Sequence, residues 1–244
     1  MSTIDLNADI GEGMPYDNQL VKYISSCNIA CGGHAGDDES ILETIQLALQ
    51  NDVKIGAHPS YPDKENFGRR SMDMSLNKLS DSIDFQLQSF KILCELSKAN
   101  WHHIKFHGAL YNDLKTDHKK AEALINLISN KYQNLILYVP PNSVIQAIAP
   151  KNNIQIKIEG FADRVYNTDL SLVSRQKPNA VLNDTQKVIK QVSEIILNQK
   201  VETLNGLKVP INIQTLCLHG DTPSALELAK AIVRNLEVNN INIE

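Results

Sequence analysis

The sequence predicts an α/β fold arranged as a seven-stranded β/α barrel, and two observations carry that prediction. First, about seven short apolar runs alternate with longer runs whose apolar residues recur at helical spacing, which implies a mostly parallel sheet. Second, polar residues gather just after nearly every strand: Asp9 and Glu12, His34, His58, His107, Glu159 and Asp163, His219 and Asp221. In β/α barrels the loops after the strand C-termini build the active site. An open doubly wound sheet would place a ligand in one crevice and use only some of those loops. Six loops bearing candidate groups favour a closed or nearly closed barrel.

The first strand carries Ile4 and Leu6 in alternation with Asp5 and Asn7 and stops at Asp9-Ile10-Gly11-Glu12-Gly13. The second, Cys27 to Cys31, stops at Gly32-Gly33-His34-Ala35-Gly36-Asp37. Asp37-Asp38-Glu39 then starts a helix with acids in its first turn and Ile41, Leu42, Ile45, Leu47, Ala48 and Leu49 as its apolar face. Val53 to Ala57 is the third strand, followed by His58 and a long loop to Arg70 rich in proline, glycine and charge; loops of that length tend to be functional. A helix over about Ser75 to Ala99 shows Leu79, Ile83, Leu87, Phe90 and Leu93 at helical spacing. The fourth strand is His103 to Phe106, and a helix from about Lys119 to Lys131 leads to strand Leu135–Val139, stopped by Pro140-Pro141. Ile154 to Ile158 is the sixth strand, Tyr166 to Ala180 reads as loop, and a helix near Asp184–Gln199 precedes the last strand, Ile213–Leu218. A final helix runs from about Ser224 to Leu236. With no repeat, linker or low-complexity stretch, one domain over residues 1–244 is the simplest account.

Bulk properties narrow the partners. The 244 residues are 42% hydrophobic and 21% charged, an ordinary globular balance with enough apolar residues for a sizeable core. A net charge of -4 argues against nucleic acid or an anionic membrane as the main partner. No basic and apolar leader opens the chain and no apolar run is long enough to span a bilayer, so a cytoplasmic location is expected. Cys27, Cys31, Cys94 and Cys217 lie in strands or helices without a tight CxxC pair and read as buried free thiols.

Two carboxylates and a histidine just beyond two glycine-rich strand ends point to a site. Turn chemistry and helix capping explain the glycines and Asp37, but not Asp9, Glu12 and His34 together. Asp9 and Glu12 suit acid–base work if their surroundings separate their pKa values; Asp5 reads as structural. His34, His58, His107 and His219 follow strands directly, whereas His118 reads as solvated and His102 and His103 as structural, His103 on the face away from the site. Asp and several His invite a metal, but no HExxH or HxxxH pair is present, so spacing leaves the metal undetermined. Lys105 alternates with His107 and, pointing into a barrel, would hold a carboxylate or developing negative charge. Arg69 and Arg70 could clamp an anion, with Arg164 and Arg175 as weaker candidates. No Walker A loop and no GxGxxG after a strand is present, so neither route to ATP or a dinucleotide is expected.

The blocks DLNADIGEG (Asp5–Gly13), NIACGGHAGD (Asn28–Asp37), GAHPSYPDKENFGRR (Gly56–Arg70), HGALYN (His107–Asn112), EGFADRVY (Glu159–Tyr166) and CLHGDTPSALELA (Cys217–Ala229) resemble the LamB/YcsF family, in order and over nearly the whole chain. Phe106, Ser224 and Asn66 depart from the pattern, and the loop after Gly13 is short; none of these removes a candidate group. The resemblance implies an irregular, TIM-like barrel related to the glycoside hydrolase and deacetylase barrels. It also implies the activity of the A subunit of an ATP-dependent 5-oxoprolinase, which opens 5-oxo-L-proline to L-glutamate together with subunits B and C. ATP, the co-substrate, would then be bound mainly by those partners. On this reading Asp9 or Glu12 handles water, His58 and His107 handle protons, and Lys105 and His34 hold negative charge. Arg69 or Arg70 takes the substrate carboxylate, with Asn7, Glu159, Asp163 and His219 as further substrate-binding groups. Two rivals stand beside it: a metal-dependent amidase or deacetylase active without ATP, and a non-catalytic docking subunit.

Overall fold

The structure, a computed structural model, describes residues 2–222 and 224–244. Met1, where the expected domain starts, and Pro223, in the last motif, lie outside the described residues. In chain order the elements are β1 (Ser2–Ile10), α1 (Asp17–Leu20), β2 (Ser26–Ala30), α2 (Asp38–Gln50), β3 (Lys54–His58), α3 (Leu76–Leu96), β4 (Trp101–Lys105), α4 (Gly108–Asp113) and α5 (His118–Lys131). There follow β5 (Ile136–Val139), α6 (Val144–Ile148), β6 (Ile156–Phe161), α7 (Thr185–Asn198), β7 (Lys200–Glu202), β8 (Lys208–Pro210), β9 (Thr215–His219), α8 (Ala225–Val238) and β10 (Ile241–Ile243). Among the described residues no helix is long and apolar enough to cross a membrane.

Strands β1 to β6 pair in parallel in sequence order, β6 pairs with β9, and β9 pairs back onto β1. The ring is therefore a closed barrel of seven parallel strands, as the alternating pattern predicts. Two features outside it were not legible: β10 lies beside the start of β1, and β7 and β8 form an antiparallel pair. Each of these strands has three residues, too short to show a period.

Local chemistry sets the helix starts. Asp37 closes a capping box with Ser40, and the side chains of Ser75, Asp117, Ser143 and Asp184 each accept a backbone N–H in the first turn of α3, α5, α6 and α7. The helices pack on the outer face of the barrel, where Leu6, Ala8, Ile29, Ile55, Ala57, Ile104, Leu137, Leu216 and Leu218 are buried with Ile45, Leu87, Phe90, Leu124, Val192 and Ile232. Burying each leucine or isoleucine there contributes about 1.5–3 kcal/mol.

The inner face is polar, unlike the usual branched apolar filling of such barrels. At the bottom, Asp5 accepts hydrogen bonds from Ser25, Ser26, Tyr138 and Thr215, confirming a structural role for that carboxylate. Above it Asn28 donates to Asn7, and His103 packs its ring on Tyr138 with Nε2 2.8 Å from Asn28 Oδ1. His103 thus faces the barrel interior, not the outside as expected; its alternation with Lys105 puts both on the same face of β4. Its role is still structural, since it is fully enclosed below the site.

Strand ends also shift. Strand β6 runs to Phe161 rather than Ile158, so Glu159 lies inside the strand and not in the loop after it. In β1, which runs to Ile10, Asp9 stands in register with Asn28 on one side and His219 on the other.

Candidate active site

At the C-terminal mouth of the barrel lies a cavity of about 730 Å³ whose wall includes Asp9, Glu12, His58, Lys105, His107, Phe161 and His219. Its floor is organised by the Lys105 ammonium. Lys105 Nζ donates to Asp9 Oδ1 at 2.8 Å and lies 3.0 Å from Glu159 Oε1 and 3.1 Å from Cys217 Sγ. Burial opposes charge on Lys105, but the Asp9 carboxylate beside it outweighs that and keeps the lysine protonated. Asp9 also accepts from Asn28 Nδ2 at 2.8 Å. Burial disfavours its charge too; His58 and Lys105 beside it reverse the balance and hold its carboxyl well below the usual carboxylate range.

Glu12 sits in the opposite regime. Burial, together with the charge of Asp9, pushes it up to about 7. The two acids three positions apart are thus driven in opposite directions, the condition for distinct roles. Around Glu12 Oε1 gather His34 Nε2 at 3.0 Å, His107 Nδ1 at 3.4 Å and His58 Nε2 at 4.0 Å. His34 and His107 stack in parallel at 3.6 Å, and burial lowers both, His34 to about 3 and His107 well below its ordinary value.

A third group lies across the cavity. His219 Nδ1 donates to both oxygens of Asp163, at 2.9 and 3.0 Å, and its ring stacks on Phe161. Fixing the proton on Nδ1 leaves Nε2 as an acceptor on a ring that lines the cavity. The outer wall is cationic: Arg69, Arg70, Lys115, Arg164 and Arg175 all line it. Arg69 and Arg175 share Asp221 Oδ2; burial opposes charge on that carboxyl, but the two guanidiniums beside it lower it. Arg164 is buried and donates to the carbonyls of Val173 and Ala180, and burial draws it down to about 10.

A tight loop contact places this rim. The carbonyl of Phe67 accepts from His107 Nε2 at 2.9 Å, and that of Gly68 from the Ala109 amide at 2.9 Å. Gly108 has φ +56°, and a Cβ on it would stand 2.6 Å from the Gly68 carbonyl oxygen. Gly108→Ala is therefore expected to cost about 1–3 kcal/mol from its backbone conformation alone, with the contact added. Urea denaturation reads it; an unchanged midpoint would mean that the loop yields freely.

The barrel brings Asp9, Glu12, His58, His107, Lys105, Arg69, Arg70 and His219 to one cavity. Four sequence candidates lie behind its surface. His34 and Asp163 touch groups that line it, Glu12 and His219. Asn7 and Glu159, both fully buried, do not reach it: Asn7 Nδ2 donates to Glu159 Oε1 at 3.0 Å and to Thr215, and Glu159 faces Lys105. Both sit on the strands one layer below the mouth, next to the lysine. Sequence reasoning missed Lys115, whose ammonium is held by the carbonyls of Pro141, Asn142 and Asp169. Arg164 and Arg175, the weaker candidates, line the cavity as well, on a loop whose lack of periodicity gave no means to place them.

Residues 4–244 match the model of the LamB/YcsF family. The chain belongs to that family. A LamB/YcsF relative from Haemophilus influenzae (strain PittEE), named as the A subunit of 5-oxoprolinase, is 41% identical over 243 residues, all of this chain and 99% of the relative. The crystal structure of the lactam utilization protein from Thermus thermophilus superposes with a TM-score of 0.91 at 32% identity, over 99% of each chain. A GH113 β-1,4-mannanase shares the fold alone, with a TM-score of 0.54 at 12% identity, over 97% of this chain and 99% of the mannanase. Its name makes the Haemophilus relative one component of a multi-subunit complex.

Proposed function

We propose that this chain is the A subunit of an ATP-dependent 5-oxoprolinase and that it opens the lactam ring of 5-oxo-L-proline. The observation that carries the reading is the charge layout of one cavity: a buried Asp9–Lys105 pair and a His219–Asp163 pair below a rim of arginines. That layout occurs in a chain whose full-length relatives bear the 5-oxoprolinase name. A five-membered lactam is a poor electrophile and recloses readily. Phosphorylation of its amide oxygen, carried out with partner subunits B and C, supplies the activation for which this sequence holds no nucleotide motif.

The residues then divide the work. One guanidinium of the rim takes the α-carboxylate and others face the phosphoryl group. Asp9, ionised, accepts a hydrogen bond from the attacking water and orients it. His219 Nε2 takes the water proton as the C–O bond forms and returns it to the ring nitrogen as the C–N bond breaks. Lys105 stabilises the negative charge on oxygen. Ring opening leaves a γ-acyl phosphate, and a second water converts it to glutamate and phosphate.

Glutamate release from 5-oxoproline tests this, with ATP and subunits B and C each present or withheld. Formation only with all of them is expected. Glutamate formed by this chain without ATP would favour an ATP-independent amidase. Arg69→Ala is expected to raise KM for 5-oxoproline roughly 10-fold, equivalent to about 1.4 kcal/mol, with kcat changed less. An unchanged KM would remove Arg69 from carboxylate binding.

A further inference from the structure

We propose that Glu12, His34, His58 and His107 form a binding site for one divalent transition-metal ion, with Zn²⁺ favoured by the donor set. The four ligand atoms all lie within 4.8 Å of one another. Hydrogen bonding on the far side of two rings fixes what they present. His58 Nδ1 lies 2.8 Å from the Lys105 carbonyl and His107 Nε2 lies 2.9 Å from the Phe67 carbonyl. A carbonyl only accepts, so each of those nitrogens carries the ring proton, and in the neutral ring the opposite nitrogen is a lone pair free to bind a cation. These two lone pairs, His58 Nε2 and His107 Nδ1, face each other at 2.9 Å, with Glu12 Oε1 3.4 Å from the second. Acceptors converging in a buried space repel unless a cation stands between them.

Among the described residues no lysine or arginine stands between these acceptors, and the ion-pair partners of Glu12 are the three histidines alone. The neighbouring group of Asp9, Cys217 and His219 differs, since the Lys105 ammonium already bonds Asp9 and Cys217. Three imidazoles and a carboxylate suit Zn²⁺. Bonds of about 2.0–2.1 Å in a tetrahedron set ligand atoms about 3.3 Å apart; the observed separations of 2.9, 3.0, 3.4 and 4.0 Å bracket that value, and the His34 ring, stacked parallel on His107, has to turn to aim its lone pair at the ion. The backbone carbonyls behind His58 and His107 are the orienting partners that metal-bound imidazoles normally have. His34 and Glu12 reach the same point from the glycine-rich turns after β2 and β1. When bound, the ion supplies Lewis acidity beside Asp9.

The test uses the full chain alone, without substrate, ATP or partners, so its result is independent of the lactam reading. After EDTA treatment and dialysis, ZnCl₂ is titrated by calorimetry, and CoCl₂ by visible absorption. Expected are one ion per chain and the intense absorption of tetrahedral Co²⁺. Glu12→Gln and His107→Ala should each weaken Zn²⁺ binding by at least about 100-fold, beyond the loss of a mere supporting group. His118→Ala, on an exposed helix start, should change nothing. Thermal unfolding without metal checks that each variant is folded, and the near-isosteric Glu12→Gln stands if His107→Ala is not. Wild-type chain that takes up no stoichiometric zinc would overturn the proposal and leave a proton shared between His58 and His107. Binding that survives Glu12→Gln in a folded protein would overturn it as well.

Discussion

Asp9→Asn is expected to cut glutamate formation by about 100- to 1,000-fold while the chain still folds and still assembles with its partners. The substitution is nearly isosteric. Asparagine Oδ1 can still accept from Lys105 and Asn28, which hold the present carboxylate at 2.8 Å each. What is lost is the charge, and with it the second acceptor oxygen, now 3.4 Å from His58 Nε2, that would hold a water against the lactam carbon. Steady-state glutamate release from 5-oxoproline, ATP and the partner subunits reads the effect, with co-purification as the check on assembly. Full activity in an assembled Asp9→Asn complex would remove the chemistry from this chain and leave it a docking subunit.

Lys105→Met is expected to lower folding stability by about 3–5 kcal/mol, the largest single-residue effect we foresee. The ammonium is enclosed, and its removal strands the Asp9 and Glu159 carboxylates in the barrel, 6% and 0% exposed. A carboxylate left without a cation in such a space must either take up a proton or admit water, and both cost free energy. Methionine fills much of the same volume, so the loss reports the charge rather than a cavity. Urea denaturation measures it. Adding Glu159→Gln to Lys105→Met should recover part of the loss, because one of the two stranded charges is then gone. A loss below about 1 kcal/mol in the single variant would mean that the ion pair contributes little beyond what a neutral filling provides.

Much of this protein was legible in one dimension because its signals are local. Strand and helix alternation, apolar spacing such as Leu79, Ile83, Leu87 and Phe90, and helix starts such as Asp37, Ser75 and Asp184 act over a few residues. They determined the seven barrel strands and the five long helices that pack around them. The pile-up of Asp9, Glu12, His58, His107 and His219 just past strand ends likewise announced a site, since in a parallel barrel all those ends share one mouth.

What only the tertiary structure decided is which of these groups touch. Asn7 and Glu159 read as ligands of a substrate, but barrel register sets them one layer down, Glu159 against Lys105 and Asn7 against Glu159. His103 read as outward-facing, yet closure of the sheet turns it onto Asn28 and Tyr138. The three histidines around Glu12 are 22 to 95 residues from it in sequence, and no spacing rule joins them. Their convergence, the tautomers set by the Lys105 and Phe67 carbonyls, and the opposed pKa values of Asp9 and Glu12 all depend on distances across the barrel. Composition fixes none of those distances. Ring closure does, by holding separate strand ends a few ångströms apart in a space from which water is largely excluded.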